Sequence, residues 1–482
     1  MIEQALNPAT LQDLKAHLHG ELICPNHRGY DASRKVWNGM IDKYPALIVR
    51  CADVVDVVHA VQFARDHHLL VAVRGGGHSV SGSSVCDSGI VIDLSRMKDI
   101  WVDPEQKTAW AQAGLTLGEF VQATQAYGLA TTTGTVGGTG LAGLTLGGGL
   151  GWFMGKYGLT IDNLLSVDLV TADGQVLRAS ASEHPDLFWG VRGGGGNFGI
   201  VTAFEFQLHP VGPVLAGKVV YPVEYAREVL RFYREYTRTA PDELTVYASL
   251  MTTSGGLPAI AISLCYCGPL EEGERLVEPV RKFGAPLIDL IRPRSYLKMI
   301  TRANLGAPAG RSYYEKASTL SDLSDEAIEA IVAYGSTCTS PWSHVLIQHV
   351  HGAACRVGPT ETAFALREES YVICMVAAWD DSEASQTDQH IGWTRACWRA
   401  MEPFASSGVY INFLGNEGEG RVRAAYGANY ERLVTLKHRY DPTNLFTLNQ
   451  NIKPIILKGL FTHRNICAQK EVVSSTLCHA YT

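Results

Sequence analysis

Residues Val71–Met97 read VAVRGGGHSVSGSSVCDSGIVIDLSRM, so three glycines and a histidine directly follow a short apolar run. Glycine lets the main chain approach another group closely, and glycine runs are typical of loops around phosphate groups. The N–H groups of residues 75–77 can converge on an anion. A histidine is not needed for that task. The stretch therefore predicts a strand, an anion-binding loop and a separate role for His78.

Bulk properties exclude several classes of protein. The chain has 482 residues, enough for about two or three domains. A net charge of −7 and the absence of a polybasic block argue against nucleic-acid binding. No window has the apolar length of a membrane span, and the N-terminus does not resemble a signal peptide. The 11 cysteines are scattered, which favours reduced thiols and a cytoplasmic location.

Glycine is concentrated in three places, residues 75–82, 134–158 and 190–199. Short β-branched runs and helical patterns alternate between them, which indicates an α+β unit over residues 1–212. Residues 213–411 are expected to form a separate domain, an antiparallel sheet backed by helices. The segment GVYINFLG reads as a further strand. Residues 412–457 are expected to return to the first unit, and residues 458–482 to form a peripheral or disordered tail.

Two common nucleotide sites fit poorly. GGGLGWFMG and GGGGNFG loosely match the dinucleotide fingerprint, but turn residues soon follow the first of them, where a Rossmann site requires a long helix. No glycine run is followed by lysine and a hydroxyl residue, as a P-loop requires.

Four motifs, in order along the chain, resemble the flavoprotein oxidases of the vanillyl-alcohol-oxidase superfamily, and within it the berberine-bridge-enzyme-like group and its bacterial relatives. They are RGGGHS at 74–79, GTVGGTGLAGLTLGGGLGWFMGKYGLTIDN at 134–163, LFWGVRGGGGNFGIVTAFEFQL at 187–208 and YDPTNLFTLNQNI at 440–452. The resemblance covers about residues 30 to 457. It implies a two-subdomain FAD-binding domain of the PCMH type and a substrate domain over the flavin.

The resemblance implies that FAD is bound covalently through His78. Members with a second link carry a cysteine where this chain has Val136, so only one link is expected. The alternatives remain that His78 is only a packed residue and that Arg74 forms a surface ion pair. The expected cofactor-binding residues are His78, Arg74, Gly75, Gly76, Gly77, Ser79, Gly82, Gly134, Thr139, Gly140, Gly143, Leu144, Gly149, Asn197, Gly199, Val201, Asn412 and Asn449.

The catalytic residues are harder to place, because the two tyrosine positions of the plant-like members hold Leu150 and Phe413. Asn412 is retained, and Tyr410 would share its face of a strand, either as a site residue or as core packing. His349 and His351 lie two residues apart on a predicted strand and therefore share one of its faces. They lack a third metal ligand at suitable spacing, so no metal site is predicted, and His351 is instead a candidate general base.

The resemblance implies an enzyme that takes hydride from a substrate C–H next to oxygen or nitrogen and passes the electrons to dioxygen, giving hydrogen peroxide. Thr139 stands at the position where the family tunes oxygen access to the flavin, and oxidases usually have valine there. Threonine has nearly the same shape as valine, although it is polar, so this position favours an oxidase. Three alternatives stay open: a dehydrogenase with another acceptor, a flavin-retaining protein without turnover and a nicotinamide dehydrogenase. The substrate is a small molecule of unidentified class, and the sequence does not predict an oligomeric state.

Overall fold

The computed structural model describes residues 7–455. Its strands are β1 Glu21–Ile23, β2 Leu47–Arg50, β3 Val71–Arg74, β4 Ile90–Asp93, β5 Ile100–Asp103, β6 Thr108–Gln112, β7 Leu129–Ala130, β8 Leu164–Val170, β9 Val176–Ser180, β10 Ile200–Gln207, β11 His209–Pro210, β12 Val214–Pro222, β13 Leu244–Thr252, β14 Pro258–Tyr266, β15 Ile288–Asp289, β16 Arg292–Arg294, β17 Ser312–Leu320, β18 His344–Val350 and β19 Ser370–Trp379.

One α-helix precedes the first strand, and the others lie between the strands or after the last of them. They are α1 Pro8–Ala16, α2 Tyr30–Arg34, α3 Val54–Asp66, α4 Leu117–Gln125, α5 Leu141–Leu146, α6 Met154–Tyr157, α7 Pro185–Val191, α8 Ala226–Thr237, α9 Leu270–Lys282, α10 Tyr296–Ala303, α11 Asp325–Gly335, α12 Ala353–Arg356, α13 Thr387–Met401, α14 Glu419–Tyr426 and α15 Tyr430–Tyr440.

The first sheet holds the glycine loop that follows β3. Its strand order is β1-β2-β4-β3, with β4 parallel to both β2 and β3. Helix α3 connects the parallel strands β2 and β3, and it begins at Asp53, whose carboxylate accepts hydrogen bonds from the N–H groups of Val55 and Asp56. Strand β4 is buried along its whole length, and its first three residues are apolar. Strand β3 lies at the edge of the sheet, so its loop emerges there.

The second sheet is antiparallel, in the order β5-β6-β10-β8-β9. Strands β8 and β9 form an antiparallel hairpin around the ADG turn at residues 172–174. Helices α4, α5 and α7 lie between strands of this region, and their apolar residues share one core with both sheets. This core also takes in the C-terminal residues Tyr410, Ile411 and Ile452.

The third sheet is large and antiparallel, in the order β15-β12-β14-β13-β18-β19-β17, with β16 also paired to β12. Side chains alternate between its faces. Val345, Ile347, Ile373 and Met375 pack in one core with the apolar residues of helices α8, α11 and α13. The opposite face of β17, β18 and β19 is therefore free to face the first unit.

The fold class predicted from the sequence, α+β with an antiparallel substrate sheet backed by helices, is confirmed. The predicted strand over GVYINFLG is wrong: residues 408–410 are irregular, and Ile411–Phe413 forms a single turn of 3-10 helix. The domain boundaries stay a proposal. The predicted tail, residues 458–482, lies outside the described residues.

Candidate active site

A cavity of about 460 Å³ lies between the glycine loops and the third sheet. The loops after β3 and before α5 line one side, strands β17, β18 and β19 line the other, and residues 410–414 and 446–450 close it. The cavity therefore brings together the motifs that the sequence analysis found far apart along the chain.

The loop after β3 has several main-chain N–H groups without a hydrogen-bond partner among the described residues. None of the N–H groups from Gly76 to Ser81 donates a hydrogen bond to another residue within 7–455. Gly76 also touches the second loop so closely that a Cβ added to it would lie 2.4 Å from the N and Cα of Gly140. Glycine is required at this contact, and the free N–H groups form a cradle suited to a diphosphate.

Hydroxyl groups continue the polar side of the cavity. The Oγ atoms of Ser79 and Ser81 lie 3.0 Å apart, and those of Ser81 and Ser83 lie 2.6 Å apart. Three residues that line the cavity have a buried oxygen without a partner among the described residues: Ser84 Oγ, Asn449 Oδ1 and, on the side of the third sheet, Gln348 Oε1. Buried polar atoms are usually paired, so a polar ligand fits here.

His78 stands at the end of the glycine run with its ring in the cavity wall. The ring stacks on Trp37 with 4.7 Å between centroids, and Trp37 in turn stacks on Tyr313 at 3.9 Å. Burial lowers the pKa of His78 to about 4, against a smaller opposing hydrogen bond with the main chain of Gly138. The imidazole is therefore neutral, and besides the nitrogen bonded to the main chain of Gly138 it has a second ring nitrogen for bonding.

The second loop lacks a thiol. Val136 and Thr139 both line the cavity, and Thr139 N–H donates to the carbonyl of Val136 at 3.1 Å. The lining includes a single cysteine, Cys374 of β19 on the opposite side.

Tyr410 and Asn412 meet although no strand aligns them. The Tyr410 hydroxyl oxygen accepts hydrogen bonds from Asn412 Nδ2 at 2.9 Å and from the N–H groups of Gly149 and Leu150 at 3.2 Å each. Burial raises the pKa of Tyr410, with the hydrogen bonds from Leu150, Asn412 and Gly149 opposing it. The phenol is therefore neutral, and its proton has no acceptor among residues 7–455.

Glu315 is a site residue that the sequence analysis missed. It lies on β17 and lines the cavity, in one row of the sheet with Val376 of β19 and His344 of β18. It forms no ion pair within the described chain, and burial raises its pKa to about 7. The signal in the sequence was a single acid in SYYEKASTL, two residues from both Tyr313 and Ala317 and therefore on the same face of the strand as they are.

Most of the predicted cofactor residues line this cavity. They are Gly75, Gly76, Gly77, His78, Ser79, Gly134, Thr139, Gly140, Gly143, Leu144, Gly199, Val201, Asn412 and Asn449, together with the catalytic candidate Tyr410. Arg74, Gly82, Gly149, Asn197 and His351 do not line it.

The residues outside the cavity support its walls. Arg74 forms a buried ion pair with Asp93, at 2.7 Å from Nη2 to Oδ2, instead of pointing at an anion. Asn197 binds the C-terminal segment: its side chain donates to the Gln450 carbonyl and accepts from the Ile452 N–H at 2.9 Å. Gly149 places its N–H on Tyr410. The carbonyl of Gly82 accepts a hydrogen bond from Lys43.

His351 does not reach the cavity. Leu346 and Gln348 of β18 face the cavity, so the alternate residues His349 and His351 point to the other face. The two imidazoles stack with centroids 5.0 Å apart, as their shared face predicts, and His349 bonds Glu369 at 2.9 Å. This position gives no support to His351 as the catalytic base.

Comparisons with known proteins fit this geometry. Residues 45–180 match the family model "FAD binding domain", and residues 409–453 match "Berberine and berberine like". An FAD-linked oxidoreductase of Dictyostelium discoideum is 34% identical over 87% of this chain and 91% of its own length. The chain belongs to the berberine-bridge-enzyme-like FAD-linked oxidoreductases. The resemblance drawn from the four motifs is confirmed, and so is the prediction of an enzyme.

Solved structures of this oxidoreductase family share the fold. The 6-hydroxy-D-nicotine oxidase of Arthrobacter nicotinovorans is 30% identical, with a TM-score of 0.83 over 91% of this chain and 98% of that one. A chitooligosaccharide oxidase, with a TM-score of 0.82 over 93% and 100%, is 23% identical and shows the fold alone.

The residues present fit FAD. The glycine cradle, the serine hydroxyls and the unpaired oxygens of Ser84 and Asn449 together suit a diphosphate and its sugars. Within residues 7–455, the oxidoreductase has no helix of the length and apolar character needed to cross a bilayer.

Proposed function

We propose that this protein is an oxidase that carries FAD covalently on His78 and bears no second link. The observation that carries the proposal is the position of the half-buried, neutral ring of His78 in the cavity wall, at the end of a loop with unpaired N–H groups. A valine occupies position 136, where a second link would need a thiol.

FAD, when bound, would supply the redox chemistry, which is the removal of hydride from a substrate C–H next to oxygen or nitrogen and the reduction of dioxygen to hydrogen peroxide. The protein supplies binding, orientation and proton transfer. Gly76 to Ser81 and Asn449 would hold the cofactor. A covalent bond to His78 would keep it in place and raise its reduction potential.

Two side chains divide the proton chemistry. The Tyr410 hydroxyl, whose oxygen is occupied by three N–H groups, directs its own proton at the bound groups as a hydrogen-bond donor. Glu315, with a pKa of about 7, is poised near neutrality to take the proton that leaves the substrate. Asn412 positions Tyr410.

The covalent link is tested by intact mass and peptide mapping of the denatured protein. We expect the protein to stay yellow after acid precipitation, with the extra mass on the peptide that contains His78 and none on the peptide that contains Val136. A colourless precipitate and an unmodified His78 peptide would contradict the link. The matched variant His344→Ala changes another cavity histidine and should keep the bound colour.

The oxidase reaction is tested with a substrate panel. We expect anaerobic bleaching of the flavin by at least one substrate, followed by stoichiometric peroxide when air is admitted. Bleaching without peroxide, with reduction of an added dye, would identify a dehydrogenase. No bleaching by any substrate would indicate a flavin-retaining protein without turnover.

A further inference from the structure

Glu315 is a half-buried carboxyl group that lines the cavity, and the cavity offers it no cation. No lysine or arginine is among the described residues that line the cavity. Its one side-chain hydrogen-bond contact within residues 7–455 is with Cys374 Sγ, 4.0 Å from Oε2, which is a weak donor at most. A buried carboxylate without a partner is costly, and such groups concentrate at functional sites.

The walls around Glu315 are apolar and aromatic. Leu346 and Val376 flank it on the sheet, and Phe413 closes the cavity from the C-terminal segment. Trp37 and Tyr313 form a stacked aromatic pair in the same lining. Faces of aromatic rings attract organic cations.

Few polar groups face the cavity from this sheet. The Tyr313 hydroxyl is already bonded to the carbonyl of Pro308 at 2.8 Å, and His344 Nδ1 lies 3.2 Å from the Trp342 carbonyl. Gln348 keeps a buried Oε1 without a partner. An oligosaccharide would bury many hydroxyl groups against this wall, and most of them would lose their hydrogen bonds.

We propose that the substrate is a small apolar amine, bound as its ammonium ion by Glu315 against the aromatic wall. The proposal rests on the proposed function of the same site, because it names the substrate class of that oxidase. It excludes carboxylate substrates, since Glu315 would repel them and no cation in the lining would attract them.

The experiment is an anaerobic calorimetric titration of the FAD-loaded protein after its flavin has been reduced with dithionite, so that the flavin cannot accept hydride and only binding is measured. The ligands are N-methylbenzylamine, its neutral isostere benzyl methyl ether, phenylacetate and cellobiose. We expect the amine to bind at least about tenfold more tightly than the ether at about pH 8, because a hydrogen bond to a charged group is worth that factor. Equal binding of amine and ether by the wild-type protein would overturn the proposal without any variant.

Glu315→Gln removes the charge and keeps the shape. We expect it to weaken amine binding by about 10- to 100-fold and to leave ether binding unchanged. The matched control is Glu326→Gln on the exposed side of α11, which should bind both ligands as the wild type does. Unchanged amine affinity in a folded, yellow Glu315→Gln would overturn the proposal.

The pH dependence provides a second readout. Above its pKa the carboxyl group is charged, so amine affinity should rise from about pH 6 to about pH 8 in the wild type and stay flat in Glu315→Gln. His344, Cys374, Tyr313 and Tyr410 face the same space. Burial lowers the pKa values of His344 and of His78, which also lines the cavity, and raises those of Cys374, Tyr313 and Tyr410, so each shift moves the titration of the group away from this range.

The proposed substrate class and the proposed oxidase reaction can be refuted by different results. Peroxide formed from a neutral alcohol or sugar, with no amine bound, would overturn the amine proposal and leave the oxidase intact. An amine that binds through Glu315 without bleaching the flavin would overturn the oxidase and leave the binding site intact.

Discussion

Tyr410 connects the C-terminal segment to the cavity through one oxygen atom. Its hydroxyl accepts from two main-chain N–H groups after α5 and from Asn412. A phenol oxygen with these donors has its proton left to give, and the cavity is where that proton can be used. The residue thus packs in the core and, under the proposed function, also takes part in the chemistry; these are the two roles that the sequence left open for it.

Tyr410→Phe should lower kcat by about 10²- to 10³-fold, the usual effect of deleting one hydrogen-bond donor at a reacting group. FAD content should stay near wild type, because Tyr410 is not among the residues expected to hold the cofactor. Stopped-flow measurement of anaerobic flavin bleaching is the readout. Tyr221→Phe, in a buried tyrosine bonded to the carbonyl of Val280, is the matched control and should leave bleaching unchanged. A normal bleaching rate in Tyr410→Phe would show that the hydroxyl only supports the fold.

Single residues in this site were predictable where the backbone demanded them. Gly76 and His78 stood out because a glycine run with a histidine has few structural explanations. Glu315 did not, because one acid on an alternating strand usually faces solvent. His349 and His351 were correctly placed on one face, but alternation alone does not tell which face meets the cavity.

At the scale of elements, two loops meet through glycines. A Cβ on Gly76 would collide with main-chain atoms of Gly140, which cannot move as a side chain can. Both loops must shift if either glycine is replaced. The contact between them therefore sets the width of the cradle.

Gly76→Ala should destabilise the protein by about 1–3 kcal/mol, the range for forcing an extra carbon into a packed site, and reduce FAD incorporation. Urea unfolding and the ratio of flavin to protein absorbance measure the two effects. Gly392→Ala is the control: its Cβ meets nothing within 4 Å, and it lies inside α13, where alanine is the better helix former. Wild-type stability and flavin content in Gly76→Ala would show that the loops can part without cost.

The C-terminal loop depends on a buried ion pair. Lys437 of α15 donates to Asp441 at 2.7 Å, and both side chains are fully buried. Lys437 also donates to the carbonyls of Asn197 and Phe446. The pair thereby ties α15 to the third glycine cluster and to the segment that lines the cavity.

Asp441→Asn should cost about 3–5 kcal/mol of unfolding free energy, because it leaves Lys437 buried without a counter-charge. Burial already lowers the pKa of Lys437, so the variant lysine should favour its neutral form. Chemical denaturation gives the measurement. Lys453→Ala removes an exposed pair with Glu419 and should leave the midpoint unchanged. Equal midpoints for both variants would mean that the buried pair contributes nothing.

At the scale of the whole molecule, residues 37–39, which contact the loop after β3, are hydrogen-bonded to the third sheet at residues 310–313. The Asn38 side chain accepts from the Tyr313 N–H at 3.0 Å and donates to the Tyr313 carbonyl at 2.8 Å. Gly39 N–H donates to the Arg311 carbonyl, and Gly310 N–H to that of Trp37. Asn38 thus pairs with β17 much as a neighbouring strand would, and it holds the sheet over the cavity.

Asn38→Ala should lower stability by about 1–3 kcal/mol, since two main-chain groups lose their partner. It should raise KM more than it lowers kcat, because the wall that holds the substrate would loosen while Tyr410 stays in place. Steady-state kinetics with the substrate found by the panel supplies the test. Tyr44→Phe, at an exposed residue a few positions further along the chain, should change neither constant. A fall in kcat alone would point to a direct role in the reaction.

The architecture followed from the sequence more completely than the site did. Glycine clusters, β-branched runs and four ordered motifs predicted the α+β fold and the FAD-binding part. The C-terminal segment was misread because GVYINFLG alternates like a strand, yet Tyr410, Ile411 and Ile452 are held in the first core by contacts distant in sequence. Such contacts cannot be read from a local pattern.

The tie between Asn197 and Ile452 joins residues 255 positions apart. During translation the ribosome makes Asn197 long before its partner, so the wall around the third glycine cluster stays open while the substrate sheet is synthesised. We therefore expect the cofactor to be enclosed only after Ile452 has been added, and nascent chains that stop short of that residue to lack this part of the wall.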